Sequence, residues 1–278
     1  MKRYVVIILS IWLLGGCGYD TVSIQERRDK ASSIASKAGF VQETVNADGF
    51  ALRLYHGDAS SCRGSTAHIY IEGDGMAWIS STKLSSDPTP ANPVALKLAV
   101  RDPHRCTIYI ARPCQYVKSG RCKKVYWSAK RYSSEVITSY QDVLSALKKR
   151  YAISSYRLFG YSGGGTIAAI LASRRSDVKQ LCTIAGNLDL AYWTKKHDLS
   201  PLKGSIDPAS LGSSLARVPQ YHFIGGKDTN VGMSVFESYL HRIGKSSSIG
   251  YHIVPGYSHG CCWERSWAGL LRKAGIPR

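Results

Sequence analysis

Apolar and polar positions along the chain change repeatedly between the spacing of a strand and the spacing of a helix. Short, nearly continuous apolar runs predict buried strands at residues 67–71, 106–111, 156–159, 180–184, 221–224 and 250–254. Apolar residues at helical spacing lie between them, at residues 94–100, 134–150, 164–173, 233–243 and 263–273. Two alternating runs, at residues 40–45 and 50–55, flank a turn signal and predict an opening hairpin. Strands that alternate with helices predict an α/β fold, with a mostly parallel central sheet covered by helices on both faces.

The first residues have a different pattern from the rest of the chain. Lys2 and Arg3 precede an almost entirely apolar stretch at residues 4–14, which is too short to span a bilayer comfortably. This is the pattern of an export signal, so residues 1–16 are predicted to be a signal peptide. Leu14-Gly15-Gly16-Cys17 resembles a bacterial lipobox, which implies that Cys17 becomes the lipidated first residue of the mature protein.

The residues after Cys17 indicate where the protein is sent and where its domain begins. Gly18, and not an aspartate, follows the cysteine, which implies sorting to the outer membrane of a Gram-negative cell, facing the periplasm. Apolar positions at helical spacing within residues 21–38 predict a short amphipathic helix after a tether. Residues 17–39 are therefore expected to connect the lipid to one large domain, residues 40–278.

The composition and charge indicate which binding partners to expect, but they do not indicate a reaction. With 44% hydrophobic and 20% charged residues, the chain of 278 residues has the balance of an ordinary globular protein. Its formal charge of +18 falls to +16 when Lys2 and Arg3 leave with the signal peptide. Because the charges are scattered and an exported protein meets little nucleic acid, we expect an anionic membrane surface as the partner and not nucleic acid. A merely solubilising charge is the alternative.

The most informative motif is Gly160-Tyr161-Ser162-Gly163-Gly164-Gly165, between a predicted strand and a predicted helix. A serine in so tight a turn takes a strained backbone conformation, and glycines are needed where a Cβ would collide with the neighbouring strand or helix. The turn lifts the hydroxyl clear of the sheet and directs the first N–H groups of the helix towards a bound group. A phosphate loop fits less well, because the motif has no Gly-Lys-Ser/Thr ending and lacks dinucleotide-binding spacing.

Candidate partners of Ser162 follow later strands. Asp228 comes after the strand at 221–224 and His259 after the strand at 250–254, and parallel sheets place their sites just past strand ends. With serine, acid and histidine in this order, the chain from residue 40 to its end resembles the α/β-hydrolase superfamily. The resemblance implies that Ser162 is the nucleophile, His259 the general base and Asp228 the acid that orients the imidazole. Asp189, which follows the preceding strand, is a rival acid.

The same resemblance implies an oxyanion hole, made by the N–H after the nucleophile and an N–H of the loop after the third strand. Here that loop is Glu72-Gly73-Asp74-Gly75, so Gly163 and Asp74 are the expected donors, with Gly75 as an alternative to Asp74. A glutamate stands where the family often has a histidine. The acidic loop is also a candidate for binding a substrate amine or a proton-sharing partner.

Eight cysteines in an exported chain predict disulfide bonds. With Cys17 set aside, seven remain, so at least one has no partner within the chain. Cys114 and Cys122 are expected to close a short loop beside the site. In the resembled fold the strands that follow Cys62 and Cys106 are parallel neighbours, which implies a bridge between these two cysteines.

No cofactor or metal is expected. The histidines are dispersed, and Cys261-Cys262, which stays unassigned, lacks a second Cys or His pair at ligand spacing. Cys182, in the middle of a strand, is expected to be a buried thiol. Residues 186–217 form a long connection after the sixth strand, where many α/β-hydrolases insert a lid. Aromatic residues of this stretch and of residues 116–127 are candidates for the wall of an acyl or aryl pocket.

These features predict an exported, lipid-anchored serine hydrolase that forms an acyl-enzyme. A small-molecule or lipid-like carboxylic ester is the expected substrate. A serine peptidase of the same fold is the nearest alternative, and a non-catalytic envelope-binding lipoprotein on the hydrolase scaffold is another, since a fold does not name a substrate. The presence of all three of Ser162, Asp228 and His259 argues against a silent scaffold.

Overall fold

The computed structural model describes residues 22–244 and 246–276. Within them the strands are β1 (Val41–Ala47), β2 (Phe50–His56), β3 (Thr66–Ile71), β4 (Thr107–Ile110), β5 (Ser155–Tyr161), β6 (Val178–Ile184), β7 (Gln220–Gly225) and β8 (Ile249–Val254). They form one sheet in the order β1-β2-β4-β3-β5-β6-β7-β8. β2 is antiparallel to both of its neighbours, and every other neighbouring pair is parallel. The predicted mostly parallel sheet is confirmed.

The helices of the described residues are α1 (Ile24–Lys37), α2 (Val94–Ala99), α3 (Ser134–Tyr151), α4 (Gly163–Arg174), α5 (Leu190–Lys196), α6 (Ser213–Ala216), α7 (Gly232–Ile243) and α8 (Trp267–Lys273). The helix expected at 263–273 is divided into a 3₁₀ turn, Trp263–Arg265, and α8. The connection at 186–217 is not wholly irregular, since it contains α5, α6 and a 3₁₀ turn. Its role as a lid stays a prediction.

Alternate residues of each central strand face opposite sides of the sheet, and both sides are covered. Ile69 and Ile71 of β3 pack in a core with α3, α4 and α7. Tyr70, between them, packs in a second core with α1, α2 and α8. Burial on both faces explains why these strands read as continuous apolar runs, and the predicted helical layers on both faces are confirmed.

The first helix belongs to the folded body. A capping box begins it, in which Ser23 accepts from the N–H of Glu26 and the Glu26 carboxylate accepts from the N–H of Ser23. Ala31 and Ala35 are buried in the second core, and the Arg27 guanidinium donates to the carbonyl oxygen of Thr89 at 2.6 Å. No helix within the described residues is long and apolar enough to cross a membrane. The expected leader and Cys17 lie outside the described residues.

The structure brings both predicted cysteine pairs together. Cys62 and Cys106 are disulfide-bonded with their Cα atoms 4.8 Å apart, and they precede the neighbouring parallel strands β3 and β4. A second disulfide joins Cys114 to Cys122. The sequence does not predict the third disulfide, in which Cys261 and Cys262 are bonded to each other. Cys182 is a buried thiol, and burial raises its pKa.

Candidate active site

Ser162 occupies the turn between β5 and α4. Its backbone has φ 52° and ψ −120°, in the left-handed region that costs energy for any residue with a side chain. The turn needs glycine around it, because a Cβ on Gly160 would collide with the carbonyl group of Gly164, and one on Gly164 with the carbonyl oxygen of Ile71. The surrounding sheet and helix therefore hold the strained serine at the carboxyl edge of β5.

Ser162, His259 and Asp228 form a chain of hydrogen bonds. His259 Nε2 lies 2.9 Å from Ser162 Oγ, and His259 Nδ1 lies 2.8 Å from Asp228 Oδ2. Each side chain follows a different parallel strand, β5, β7 or β8, so the shared carboxyl edge brings together residues separated by up to 97 positions. The Asp228 carboxylate accepts a hydrogen bond from Nδ1–H, which favours the tautomer whose Nε2 carries no proton and can accept the serine proton.

Asp228 is held so that one oxygen serves the histidine and the other serves the backbone. Asp228 Oδ1 accepts from the N–H groups of Asn230 and Val231 at 2.9 and 3.0 Å. Burial by itself would raise the pKa of Asp228, but the hydrogen bond and charge of His259 and these two N–H groups lower it below its usual range. The carboxyl therefore stays ionised at neutral pH and faces the imidazole with a full charge.

The rival acid, Asp189, has other partners. It is the N-cap of α5, accepting from the N–H of Tyr192, and it binds Ser238 and the Arg242 guanidinium. Its side chain is 0% exposed. Both of its oxygens are thus used in packing α5 against α7, while Asp228 holds the histidine.

The loop that carries His259 is fixed through its backbone. The carbonyl oxygen of His259 accepts from the Tyr161 hydroxyl at 3.2 Å and from Trp263 Nε1 at 3.0 Å. Trp263 is buried, and the Tyr161 ring lies against the imidazole with the ring centres 5.5 Å apart. These contacts limit movement of the imidazole relative to Ser162.

The expected oxyanion donors lie beside the serine hydroxyl. Gly163 is the first residue of α4, so its N–H has no acceptor within the helix and points out at the positive end of the helix dipole. The Asp74 loop passes directly over this residue, because a Cβ on Gly163 would collide with the Asp74 carboxylate and the Tyr132 hydroxyl. Neither the Gly163 nor the Asp74 N–H has an acceptor among the described residues.

The Asp74 side chain is neutralised by two cations. Arg112 Nη1 and Arg131 Nη1 each lie 2.7 Å from one of its oxygens, and the Tyr132 hydroxyl donates to both at 3.0 Å. Burial opposes ionisation, yet Arg131 and Arg112 outweigh it and lower the pKa of Asp74 to about 2. Because its oxygens are taken by these donors, Asp74 does not present a free carboxylate to a substrate amine. The cluster carries one net positive charge next to Gly163.

Glu72, at the end of β3, is a different kind of acid. It is 1% exposed and accepts from the Gly73 N–H at 2.9 Å and the Tyr109 hydroxyl at 3.2 Å. Burial raises its pKa to about 7, because these hydrogen bonds only partly offset the cost of charging it. Glu72 also lines the cavity that contains Ser162.

A cavity of 420 Å³ is lined by Ser162 and His259. Polar residues are prominent in its lining, among them Asn92, Asn187 and Asn230, and Trp78 and Trp193 add aromatic surface. The carbonyl oxygen of the buried Asn187 side chain has no partner within the described residues, so it can accept from a bound molecule. No group of three or more metal-binding side chains occurs among the described residues.

No protein-family model and no curated protein matches the sequence, but solved structures do. An α/β serine hydrolase homologue from Coxiella burnetii is 16% identical, with a TM-score of 0.57 over 84% of this chain and 95% of that one. An esterase from Pyrococcus furiosus is 11% identical, with a TM-score of 0.60 over 86% and 93% of the two chains. An esterase domain of a Rhodothermus marinus protein is 12% identical, with a TM-score of 0.55 over 85% and 96%. The chain has the α/β-hydrolase fold.

The sequence does not predict that several other residues belong to the site of this α/β-hydrolase fold. Arg112, Arg131 and Tyr132 lie in or next to an irregular connection, far along the chain from Asp74. The sequence pattern predicts Trp263 only as part of a helix. Tyr161 was the exception, since its place inside the glycine-rich turn puts it beside the serine in any arrangement of the later strands.

Proposed function

We propose that the protein is a serine hydrolase that cleaves carboxylic esters through an acyl-enzyme intermediate. The observation that carries this proposal is the continuous chain of hydrogen bonds from Ser162 Oγ through His259 to Asp228, in which Ser162 and His259 line an open cavity. The fold supports it, since the Pyrococcus furiosus protein of the same fold is an esterase. The expected substrate is a small-molecule or lipid-like ester.

In the first half of the reaction Ser162 Oγ attacks the ester carbonyl carbon while its proton passes to His259 Nε2. The N–H groups of Gly163 and Asp74 stabilise the oxyanion that forms, aided by the net positive charge of the Asp74 cluster. His259 then gives its proton to the departing alcohol as the carbon–oxygen bond breaks. A water molecule, deprotonated by His259, releases the acid and restores the serine.

A fluorophosphonate probe tests the nucleophile directly, because an activated serine attacks phosphorus as it attacks an acyl carbon. The wild-type protein is expected to be labelled at Ser162 and to hydrolyse p-nitrophenyl acetate. Ser162→Ala should remove labelling and lower kcat by on the order of 10⁶-fold. Labelling of the alanine variant at the wild-type rate would show that another residue reacts. Aminoacyl amides assayed beside the ester separate an esterase from a peptidase.

We also propose that the enzyme is anchored in the bacterial envelope through a lipid on Cys17, with its basic surface adding attraction to anionic lipid. The disulfide bonds of the domain support an oxidising compartment outside the cytoplasm. Cys17→Ser should leave the protein unprocessed or release it from membranes, as measured by fractionation and mass spectrometry. A processed Cys17→Ser protein that still sediments with membranes would show that charge, and not lipid, holds it there.

A further inference from the structure

A second and larger cavity, of 650 Å³, lies beside the cavity over Ser162. Its walls come from the loop after β3, the segment before α3 and the connection after α5. The apolar part of its lining consists of Trp78, Leu84, Ala129, Trp193, Leu199, Pro201 and Leu202. The sequence indicated an apolar pocket but placed it partly elsewhere, since Tyr116 and Trp127 are buried away from this cavity.

The two cavities share a wall. Trp78, Arg131 and Trp193 line both of them, so the second cavity begins at side chains that also border the space over Ser162. The polar groups over Ser162 and the apolar groups beyond Trp78 divide the combined space into a polar end and an apolar end. A ligand that fills both is therefore amphipathic.

The second cavity is poorly suited to an anion. Arg131 is the cation in its lining, and its guanidinium is already bound to Asp74 and to the Ser128 carbonyl oxygen. Asp198, which is exposed, adds a negative charge. The other polar lining residues are uncharged serines, Ser80, Ser81, Ser128 and Ser200. The aliphatic stem of Arg131 and the apolar side chains make up the rest, and they favour hydrocarbon.

Two of these side chains expose unusually large apolar surfaces. Trp78 is 41% exposed and Leu199 is 42% exposed, and both line this cavity. Single exposed apolar residues are ordinary, but two that line one cavity offer apolar surface that a bound hydrocarbon would favourably remove from water.

We infer that the second cavity binds the hydrocarbon chain of the substrate, so that the enzyme selects esters with a long apolar chain. This inference rests on the proposed ester hydrolysis at Ser162. Each methylene that leaves water contributes about fourfold to kcat/KM. From an acetyl to an octanoyl ester we therefore expect a rise on the order of 100-fold, since some methylenes stay partly exposed.

Two series of esters distinguish the side of the ester on which the chain lies. p-Nitrophenyl acetate to p-nitrophenyl decanoate vary the acyl chain, and ethyl acetate to decyl acetate vary the alcohol chain. A rise in kcat/KM along either series supports the inference and names the side. A flat response in both series, with Ser162 still labelled by the probe, overturns the inference and leaves the proposed function standing.

A variant that fills the second cavity tests whether this cavity causes the dependence of kcat/KM on chain length. Ala129→Phe fills space in the second cavity and lies outside the lining of the first. The ratio of kcat/KM for the octanoyl ester to kcat/KM for the acetyl ester should fall at least tenfold in this variant. Tyr192→Ala is the matched control, because Tyr192 is exposed, neighbours Trp193 and lines neither cavity; it should keep the wild-type ratio. An unchanged ratio in Ala129→Phe contradicts the assignment.

A binding measurement separates failure of this inference from failure of the proposed function. If no ester is hydrolysed and no serine is labelled, the proposed function is wrong, but the cavity is still testable with 1-decanol. Titration calorimetry should show that Ser162→Ala binds decanol at least tenfold more tightly than the Ser162→Ala, Ala129→Phe double variant. Equal affinity of the two proteins overturns the inference.

Discussion

Two histidine–aspartate pairs in this protein have nearly the same geometry and opposite surroundings. His259 Nδ1 lies 2.8 Å from Asp228, and His68 Nδ1 lies 2.7 Å from Asp102. The pKa of each aspartate is lowered below its usual range, since hydrogen bonds from the histidine and other donors outweigh burial. A search for close histidine–carboxylate contacts alone would not separate them.

The difference lies at the other nitrogen of each ring. His259 Nε2 faces the Ser162 hydroxyl, which has a proton to give, below an open cavity. His68 Nε2 lies 3.4 Å from an Arg157 guanidinium, which only donates, and the His68 side chain is 0% exposed. The pair at His259 can therefore move a proton, while the pair at His68 holds β3, β5 and the loop before β4 together.

The position of each pair in the sheet explains why one pair faces a cavity and the other is buried. His68 lies in the first half of β3, and its ring stacks on His104 and packs against Phe159 in the core. Asp102 is held further by the Tyr70 hydroxyl at 2.6 Å. His259 lies beyond the carboxyl end of β8, where loops leave space for a ligand. In a parallel sheet, the same two side chains are thus structural or reactive according to the edge they occupy.

The sharpest test of this comparison replaces each aspartate by asparagine. Asp228→Asn should lower kcat on an activated ester by on the order of 10⁴-fold, because the amide no longer fixes the tautomer that accepts the serine proton. Its melting temperature should change little, since the amide oxygen still accepts from the backbone. Steady-state kinetics and thermal denaturation on the same preparations measure both quantities.

Asp102→Asn makes the same substitution in the His68–Asp102 pair. It should leave kcat per folded molecule within a few-fold of the wild type and lower the free energy of unfolding by about 3 kcal/mol, since charged hydrogen bonds at a buried site are lost. A large loss of kcat in folded Asp102→Asn, or none in Asp228→Asn, would overturn the division of roles. Asp189→Asn, on the rival acid, should resemble Asp102→Asn and not Asp228→Asn.

The sequence predicts the reactive pair more readily than the structural one, for a physical reason. Ser162 lies in a local glycine-rich turn, and the order of later strands places Asp228 and His259 on one edge without knowledge of side-chain packing. The contact of His68 with Asp102 depends instead on the register of β3 and β4 and on the path of the loop before β4. Nothing in the local pattern encodes that path.

The same limit applies to the surroundings of the oxyanion loop. Glycines flank Asp74 and signal a tight loop, but the two arginines that neutralise it come from positions 38 and 57 residues away along the chain. An acidic loop without those partners suggests a site for a cation. The structure shows the reverse, because Arg112 and Arg131 leave the cluster with a net positive charge.

Glu72 can be compared with Asp102 and Asp228, because it is a buried carboxyl that has no histidine partner. The groups that donate to it are backbone N–H groups and the Tyr109 hydroxyl, and no cation binds it among the described residues. Tyr109, Tyr116 and Tyr161 lie around it, and burial raises the pKa of each, so they stay neutral at ordinary pH. With burial unopposed by a positive charge, the pKa of Glu72 rises to about 7, while those of Asp102 and Asp228 fall.

This difference predicts a pH dependence of stability that belongs to Glu72. In the unfolded chain the carboxyl loses its proton near pH 4.5, whereas in the folded protein it keeps the proton until about pH 7. Between these values the folded state binds more protons, so the free energy of unfolding falls as the pH rises. The stability contributed by the protonated group is full below pH 4.5 and is lost by the time the pH has passed 7. The expected loss between pH 5 and pH 7 is about 2 kcal/mol.

Glu72→Gln isolates this effect, because the amide has the size of the protonated carboxyl and does not titrate. Urea denaturation of both proteins at pH 5, 6 and 7, at constant ionic strength and with the disulfides intact, measures how the free energy of unfolding of each protein changes with pH. Subtracting the curve of the variant removes the contributions of the histidines and the other acids, which the two proteins share. The wild type should lose about 2 kcal/mol relative to the variant over this range. Parallel curves would show that Glu72 ionises in the folded protein as it does in the unfolded chain, which would require a cation or water beside the carboxyl.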